Sequence, residues 1–263
     1  MIMIMHLPTS IGLLSLSLIL LLSSPKFTLA QPVTIAVGDW PPYISQDLKQ
    51  DGTVSHIIKD VFAAMGMDAS IKFMPWTRAY KHTAAGSFTA TGVWMHKTER
   101  ENDFIYSDAI LTEQFVFFHN KSIDFNWNTI DDVYGMKMGG VLGYSYGPDL
   151  DKALEKGLVE MDRIKHPRQN FNKLLRGRIQ LHPLEINVGY SSIKKHFTLK
   201  EQTQITHHPK PFLNNLSYVL FPKKIKNSKE LVKRFNKALA KMKASGQYDK
   251  YFKNFEAGLY DKE

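Results

Sequence analysis

The chain has 263 residues, 43% hydrophobic and 22% charged, and its 34 Lys and Arg against 25 Asp and Glu leave a net charge of +9. That length accommodates about two domains of roughly 100–200 residues, and the composition excludes a disordered or low-complexity chain. The absence of cysteine excludes disulfides, thiolate zinc sites, iron–sulfur clusters, a cysteine nucleophile and a lipid-modified cysteine anchor.

In chain order, residues 11–22 form an apolar run interrupted only by Gly12, Ser15 and Ser17. A bilayer-spanning helix needs about 20 apolar residues, so the run has the length of a signal-peptide core. Thr28, Leu29 and Ala30 supply small residues for cleavage after Ala30, which predicts a removed segment 1–30 and an exported protein, while the lack of Lys or Arg in residues 1–6 leaves an uncleaved anchor or a cytosolic chain as alternatives. From Pro32 onward, strand-like and helix-like stretches alternate. Val33, Ile35 and Val37 share one face by period two, and Ile57, Ile58, Val61, Phe62 and Met65 share one helical face closed by Gly66. Residues 70–74 read as a strand, 76–85 as a helix stopped by Gly86, and Phe115–Phe118 as a sheet or crossover segment. A second series follows, with a strand at 138–142, a helix at 149–155 and a helix at 170–176 before Gly177. This alternation predicts α/β architecture with largely parallel sheets.

Near the C-terminus, Leu231, Val232, Phe235, Leu239 and Met242 form the buried stripe of a helix whose lysines face solvent. Asn227 and Glu230 have the spacing of a capping box, and Gly246 ends the helix. Tyr248, Tyr251, Phe252 and Phe255 repeat the helical spacing of a packing face. GxGxxG, Walker A, HExxH and GxSxG motifs are absent, and the adjacent His207 and His208 cannot readily aim at one metal. No cofactor, metal or nucleic acid is therefore expected. The glycine-rich stretch 138–143 reads as a buried strand leading to a helix N-terminus, where free N–H groups can hold an anion.

Six segments fall in a telling order: Asp39-Trp40-Pro41-Pro42-Tyr43, Pro75-Trp76-Thr77-Arg78, Thr98-Glu99-Arg100 before Phe104–Asp108, Leu174–Ile179 leading to Glu185, Phe235–Leu239 and Ser245–Tyr248. Together they resemble family 3 of the bacterial extracytoplasmic solute-binding proteins, the polar amino-acid-binding components of ABC importers. The resemblance implies a two-lobed periplasmic-binding-protein-like fold of type II with two crossover hinge strands. Lobe one would combine 31–118 with 218–263, and lobe two would take 119–217. It further implies that Arg100 clamps a ligand carboxylate, that Glu185 holds the ligand ammonium, and that Trp40 and Trp76 sandwich the ligand side chain. Tyr144 and Ser145 would contribute donors from lobe two, with Tyr43 and Trp94 completing the set. Arg suits the first role because its planar fork pairs a carboxylate through two parallel hydrogen bonds.

Each of these residues has a plainer reading beside the first. Arg100 can belong to a surface ion-pair cluster with Glu99, Glu101 and Asp103; Glu185 can be an acid favoured at a helix N-terminus; the tryptophans can be core. The chain also departs from the family pattern, with Val93, Trp94 and Met95 ahead of the Arg-bearing turn, Lys97 three residues before Arg100, and Gln180 after the GRI segment. These departures imply a bulkier, more apolar pocket. The expectation is a monomeric periplasmic receptor for an amino acid or similar amphipathic solute, working with an ABC permease or a membrane sensor. Competing expectations are a scaffold with a decayed cleft and a dehydratase-like enzyme using Glu185 or His182.

Overall fold

A computed structural model describes residues 32–262 and residue 2, so the expected signal segment lies outside the described residues. The elements in order are β1 (Val33–Val37), α1 (Thr53–Ala64), β2 (Ala69–Phe73), α2 (Trp76–Ala84), β3 (Ala90–Met95), β4 (Phe104–Tyr106) and β5 (Leu111–Asn120). There follow β6 (Lys137–Val141), α3 (Pro148–Glu155), β7 (Glu160–Ile164), α4 (Pro167–Leu175), β8 (His182–Glu185), α5 (Ile186–His196), α6 (Leu199–Gln202) and β9 (Ile205–His207). The chain ends with β10 (Leu213–Pro222), α7 (Ser228–Ala244) and α8 (Gln247–Glu256).

The pairing explains a two-lobed shape. Strand β1 pairs in parallel with β2 and β3, and β3 and β4 pair antiparallel with β10. On the other side β5 pairs antiparallel with β8 and β9, while β6 pairs in parallel with β7. A parallel bridge from Met138 to Leu181 joins β6 to the edge of β8. Strands β5 and β10 pair with each other and with neighbours on opposite sides, so they are the two crossovers that connect the lobes. The aromatic run at 115–118 lies in β5, and period two sends Phe117 and Phe118 to opposite faces of a sheet covered on both sides. Phe118 packs on Phe171 of α4, whereas Phe117 packs on Trp127.

Helix α1 forms where the sequence places its apolar stripe, and Val54, Ile57, Ile58, Val61 and Phe62 are all fully buried. Each such side chain contributes about 1.5–3 kcal/mol relative to exposure. The expected capping box at α7 is not formed, because the Asn227 side chain makes no cap hydrogen bond. The Ser228 hydroxyl instead donates to the Pro222 carbonyl at 2.6 Å, tying the helix start to the end of β10. Tyr251 of α8 is buried and Phe255 stacks on Tyr43 with ring centroids 5.6 Å apart, so this aromatic face packs the fold. Among the described residues no helix is long and apolar enough to cross a membrane.

Candidate functional site

Strand ends and crossovers deliver side chains to one cleft. The turn after β1 brings Trp40, the N-terminus of α2 brings Trp76, and the end of β3 brings Val93, Trp94 and Met95. Arg100 comes from the turn between β3 and β4, Gly143, Tyr144 and Ser145 from the turn between β6 and α3, and Glu113, Phe115 and Ser217 from the crossovers. These residues enclose about 470 Å³, counted out to the open mouth. Gly38 makes room for one wall: a Cβ there would lie 2.2 Å from the Trp76 ring, so only glycine lets that indole rest against the end of β1.

Arg100 is half-buried and sits with its guanidinium carbon 4.8 Å from the Trp94 ring centroid. Its Nη1 donates to the Met95 carbonyl at 2.6 Å, which orients the fork. The neighbouring acids are engaged elsewhere: Glu101 with His96, Glu99 near Lys97, and Asp103 with the Tyr80 hydroxyl. Among the described residues no carboxylate lies within ion-pair distance of Arg100, so the surface-cluster reading does not describe it. Burial lowers its pKa from the ordinary guanidinium range, yet an arginine keeps its charge. A partly desolvated cation with free donors can receive an anion. The Trp76 Nε1 in the same cleft is likewise a buried donor without an acceptor.

Across the cleft, the Ser145 hydroxyl donates to Asp151, whose other oxygen accepts from the Tyr146 N–H at 2.9 Å. Asp151 also meets Lys97 at 3.0 Å, an ion pair that joins the α3 side to the Arg100 side. Gly143 approaches the base of Trp76, with a Cβ position 3.9 Å from that residue's own Cβ.

Tyr43 and Glu185 are brought together, but not as cleft-lining groups. The Tyr43 hydroxyl donates to Glu185 Oε1 at 3.2 Å and accepts from Asn187 Nδ2 at 2.7 Å. Glu185 Oε2 accepts the Val188 N–H at 2.9 Å, so this fully buried acid caps α5. The helix-terminus reading therefore describes its contacts, and its carboxylate faces Tyr43 and its own helix. Desolvation pushes its pKa up to about 7, against the lowering effect of these donors. His182 is also fully buried, its Nδ1 donating to the Gly139 carbonyl at 2.7 Å beneath Phe171. Desolvation lowers its pKa to about 4, so the ring is neutral.

Glu113, Phe115 and Ser217 also line the cleft, outside the motifs that carry the family resemblance. A signal was available: Leu111, Glu113 and Phe115 occupy one face of an alternating strand, and the structure buries all three. An acid between two inward apolar residues is an inward acid. Opposite Glu113 in register stands Asn215, whose Nδ2 donates to Oε2, and the Ser217 hydroxyl donates to the same oxygen at 2.8 Å. Desolvation pushes the Glu113 pKa up to about 7, partly opposed by these two donors. Among the described residues no cluster of three or more His, Cys, Asp or Glu is arranged to hold a metal.

The profile of the bacterial extracellular solute-binding proteins, family 3, matches residues 33–257. No curated protein matches the sequence. Among solved structures, an ancestral arginine-binding protein bound to arginine is similar with a TM-score of 0.70 and 18% identity, over 85% of this chain and 97% of that one. A histidine kinase sensor domain with similarity to periplasmic binding proteins gives a TM-score of 0.71 and 15% identity, over 86% and 96%. An amino acid ABC transporter substrate-binding protein from Streptococcus pneumoniae, bound to L-arginine, gives 0.67 and 18%, over 85% and 93%. At these identities the likeness is one of fold.

Proposed function

Because the chain belongs to the bacterial extracellular solute-binding proteins, family 3, we propose that it is a periplasmic receptor that captures an amino acid or similar small amphipathic solute between its lobes. The observation that carries this reading is the Arg100 guanidinium, without a carboxylate partner among the described residues, inside a cleft walled by Trp40, Trp76 and Trp94. Arg100 takes the ligand carboxylate, and the Trp76 N–H supplements it. Trp40 and Trp76 hold the ligand side chain between apolar faces, while Trp94 backs the guanidinium. Tyr144 and Ser145 close on the ligand from lobe two, and Tyr43 with Glu185 ties the lobes together behind the cleft. Ligand affinity for the closed state supplies the shift from open to closed.

Lobe one is taken as 31–118 with 218–263 and lobe two as 119–217, boundaries that fall in or beside β5 and β10. The two similar structures bound to arginine support an amino-acid ligand. Delivery is to an ABC permease, with a membrane sensor as the alternative; the similar structures include both transporter binding proteins and a sensor domain. We take the mature chain to start after Ala30 and to act as a monomer without enzymatic activity. Burial of His182 and Glu185 in structural hydrogen bonds supports that last point.

The test is a thermal-shift screen of the twenty L-amino acids against the purified mature chain. A ligand at 100 times its dissociation constant adds about 2.7 kcal/mol of stability, a readily measured rise in Tm. The expected result is a shift with one chemical class, recovery of that compound unchanged, and loss of the shift in Arg100→Ala with the circular dichroism spectrum retained. No shift with any amino acid overturns the ligand class, consumption of the compound overturns the non-enzymatic reading, and an unaltered shift in Arg100→Ala removes that residue from the site.

A further inference from the structure

We infer that Glu113, on the first crossover strand, is the group that receives the ligand's ammonium, and that the ligand is an amino acid with a neutral, apolar or aromatic side chain. The inference rests on the amino-acid-receptor reading above and narrows it. An ammonium in a desolvated cleft needs an acceptor, best a carboxylate. The carboxylate of Glu185 is engaged by Tyr43, Asn187 and the Val188 N–H, outside the cleft-lining residues. Glu113 lines the cleft and is 3% exposed. Its two protein donors, Asn215 Nδ2 and Ser217 Oγ, both address Oε2. Among the described residues no hydrogen bond is made to Oε1 from any protein donor, and this oxygen is not among the sealed, partnerless atoms. One carboxylate oxygen is thus fixed by neutral groups while the other remains available to the cleft.

Charge counting then limits the ligand. The cleft-lining side chains include one cation, Arg100, and one anion, Glu113. With the ligand's carboxylate on the first and its ammonium on the second, no charged group remains among the described cleft-lining residues to compensate a charged side chain. What remains is mainly aromatic and aliphatic wall, Trp40, Trp76, Trp94, Phe115, Tyr144 and Val93, with the Ser145 and Ser217 hydroxyls already donating to Asp151 and Glu113. Burying an unpaired ion there is costly, whereas burying an aromatic or branched aliphatic side chain is favourable.

Burial holds Glu113 partly protonated near neutrality. The titratable and charged groups facing it are Glu185, Tyr43, Tyr144 and Arg100. An arriving ammonium favours the ionised form, so binding releases a proton and tightens as the pH rises from 6 to 8.

The experiment uses the strongest binder among the twenty L-amino acids, together with its deaminated acid, by titration calorimetry on the mature chain. The wild type is expected to prefer the amino acid by at least about tenfold, to release protons in buffers of differing ionisation enthalpy, and to choose an aromatic or large aliphatic side chain. Glu113→Gln is expected to lose the preference over the deaminated acid, while Glu185→Gln keeps it. Loss of the preference in Glu185→Gln with retention in Glu113→Gln overturns the inference and leaves the receptor reading intact. Arginine, lysine, aspartate or glutamate as the strongest binder also overturns it. Should Glu113→Gln not fold, proton release by the wild type decides: none on binding overturns the inference. Failure of every amino acid to bind overturns the receptor reading itself.

Discussion

A buried acid is informative because it is expensive. Glu113 and Glu185 both titrate near 7 in the fold against about 4.3 in an unfolded chain, desolvation being the main cause. Below the ordinary carboxylate range both states hold these protons, and the fold carries no penalty. As the pH rises from about 4.5 to 7, the unfolded chain releases protons that the fold retains, so this contribution to stability is lost with rising pH. The ligand-free protein's Tm is expected to fall less between pH 5 and 8 in Glu185→Gln than in the wild type; equal slopes in paired melting curves would show that Glu185 is not desolvated as described. At this scale the sequence was legible where chemistry is constrained by shape. Arg100, Trp40, Trp76, Trp94, Tyr144 and Ser145 do converge on one cleft. Glu185 and Tyr43 converge only on each other, because whether an acid at a strand end faces a cleft or its own helix depends on side-chain direction, which spacing does not encode.

Elements were legible in proportion to their periodicity. The apolar stripe of α1 and the alternation in β1 declare themselves, and the glycines after α1, α2 and α4 mark their ends. Strand β7, whose EMDRI alternates weakly, and β10, whose second and third residues are asparagines, carry no comparable pattern and are ordered by their partners. One glycine within a helix illustrates partner control. A Cβ at Gly189 of α5 would lie 2.2 Å from the fully buried Phe118 ring, which is itself packed on Phe171. Alanine is the better helix former by about 1 kcal/mol in isolation. Overpacking against β5 is expected to outweigh that, so Gly189→Ala should destabilise by about 1–3 kcal/mol in urea denaturation. A stabilised variant would mean that α5 can move off the sheet.

Over the whole molecule, several polar contacts join the two proposed lobes. They include Tyr43 with Glu185 and Asn187, the exposed Lys195–Asp47 pair at 3.7 Å, and the Lys97–Asp151 pair at 3.0 Å. The latter pair keeps about 29% and 15% of its side-chain surface exposed, so solvent screens it and its worth is at most about 1 kcal/mol. Lys97→Met is expected to speed ligand release about 2–5-fold, with a smaller effect on association, and to blunt the salt dependence of the dissociation rate. An unchanged release rate by stopped flow would take the pair out of closure. Strands β5 and β10, by contrast, belong to both lobes at once, and Glu113, Asn215 and Ser217 ride on them. In any rotation the points near the axle travel least while the rims sweep widely. On the inference that Glu113 takes the ligand's amine, a socket mounted on that axle would change little as the jaws turn, and a solute would be sorted by its amine before they had fully closed.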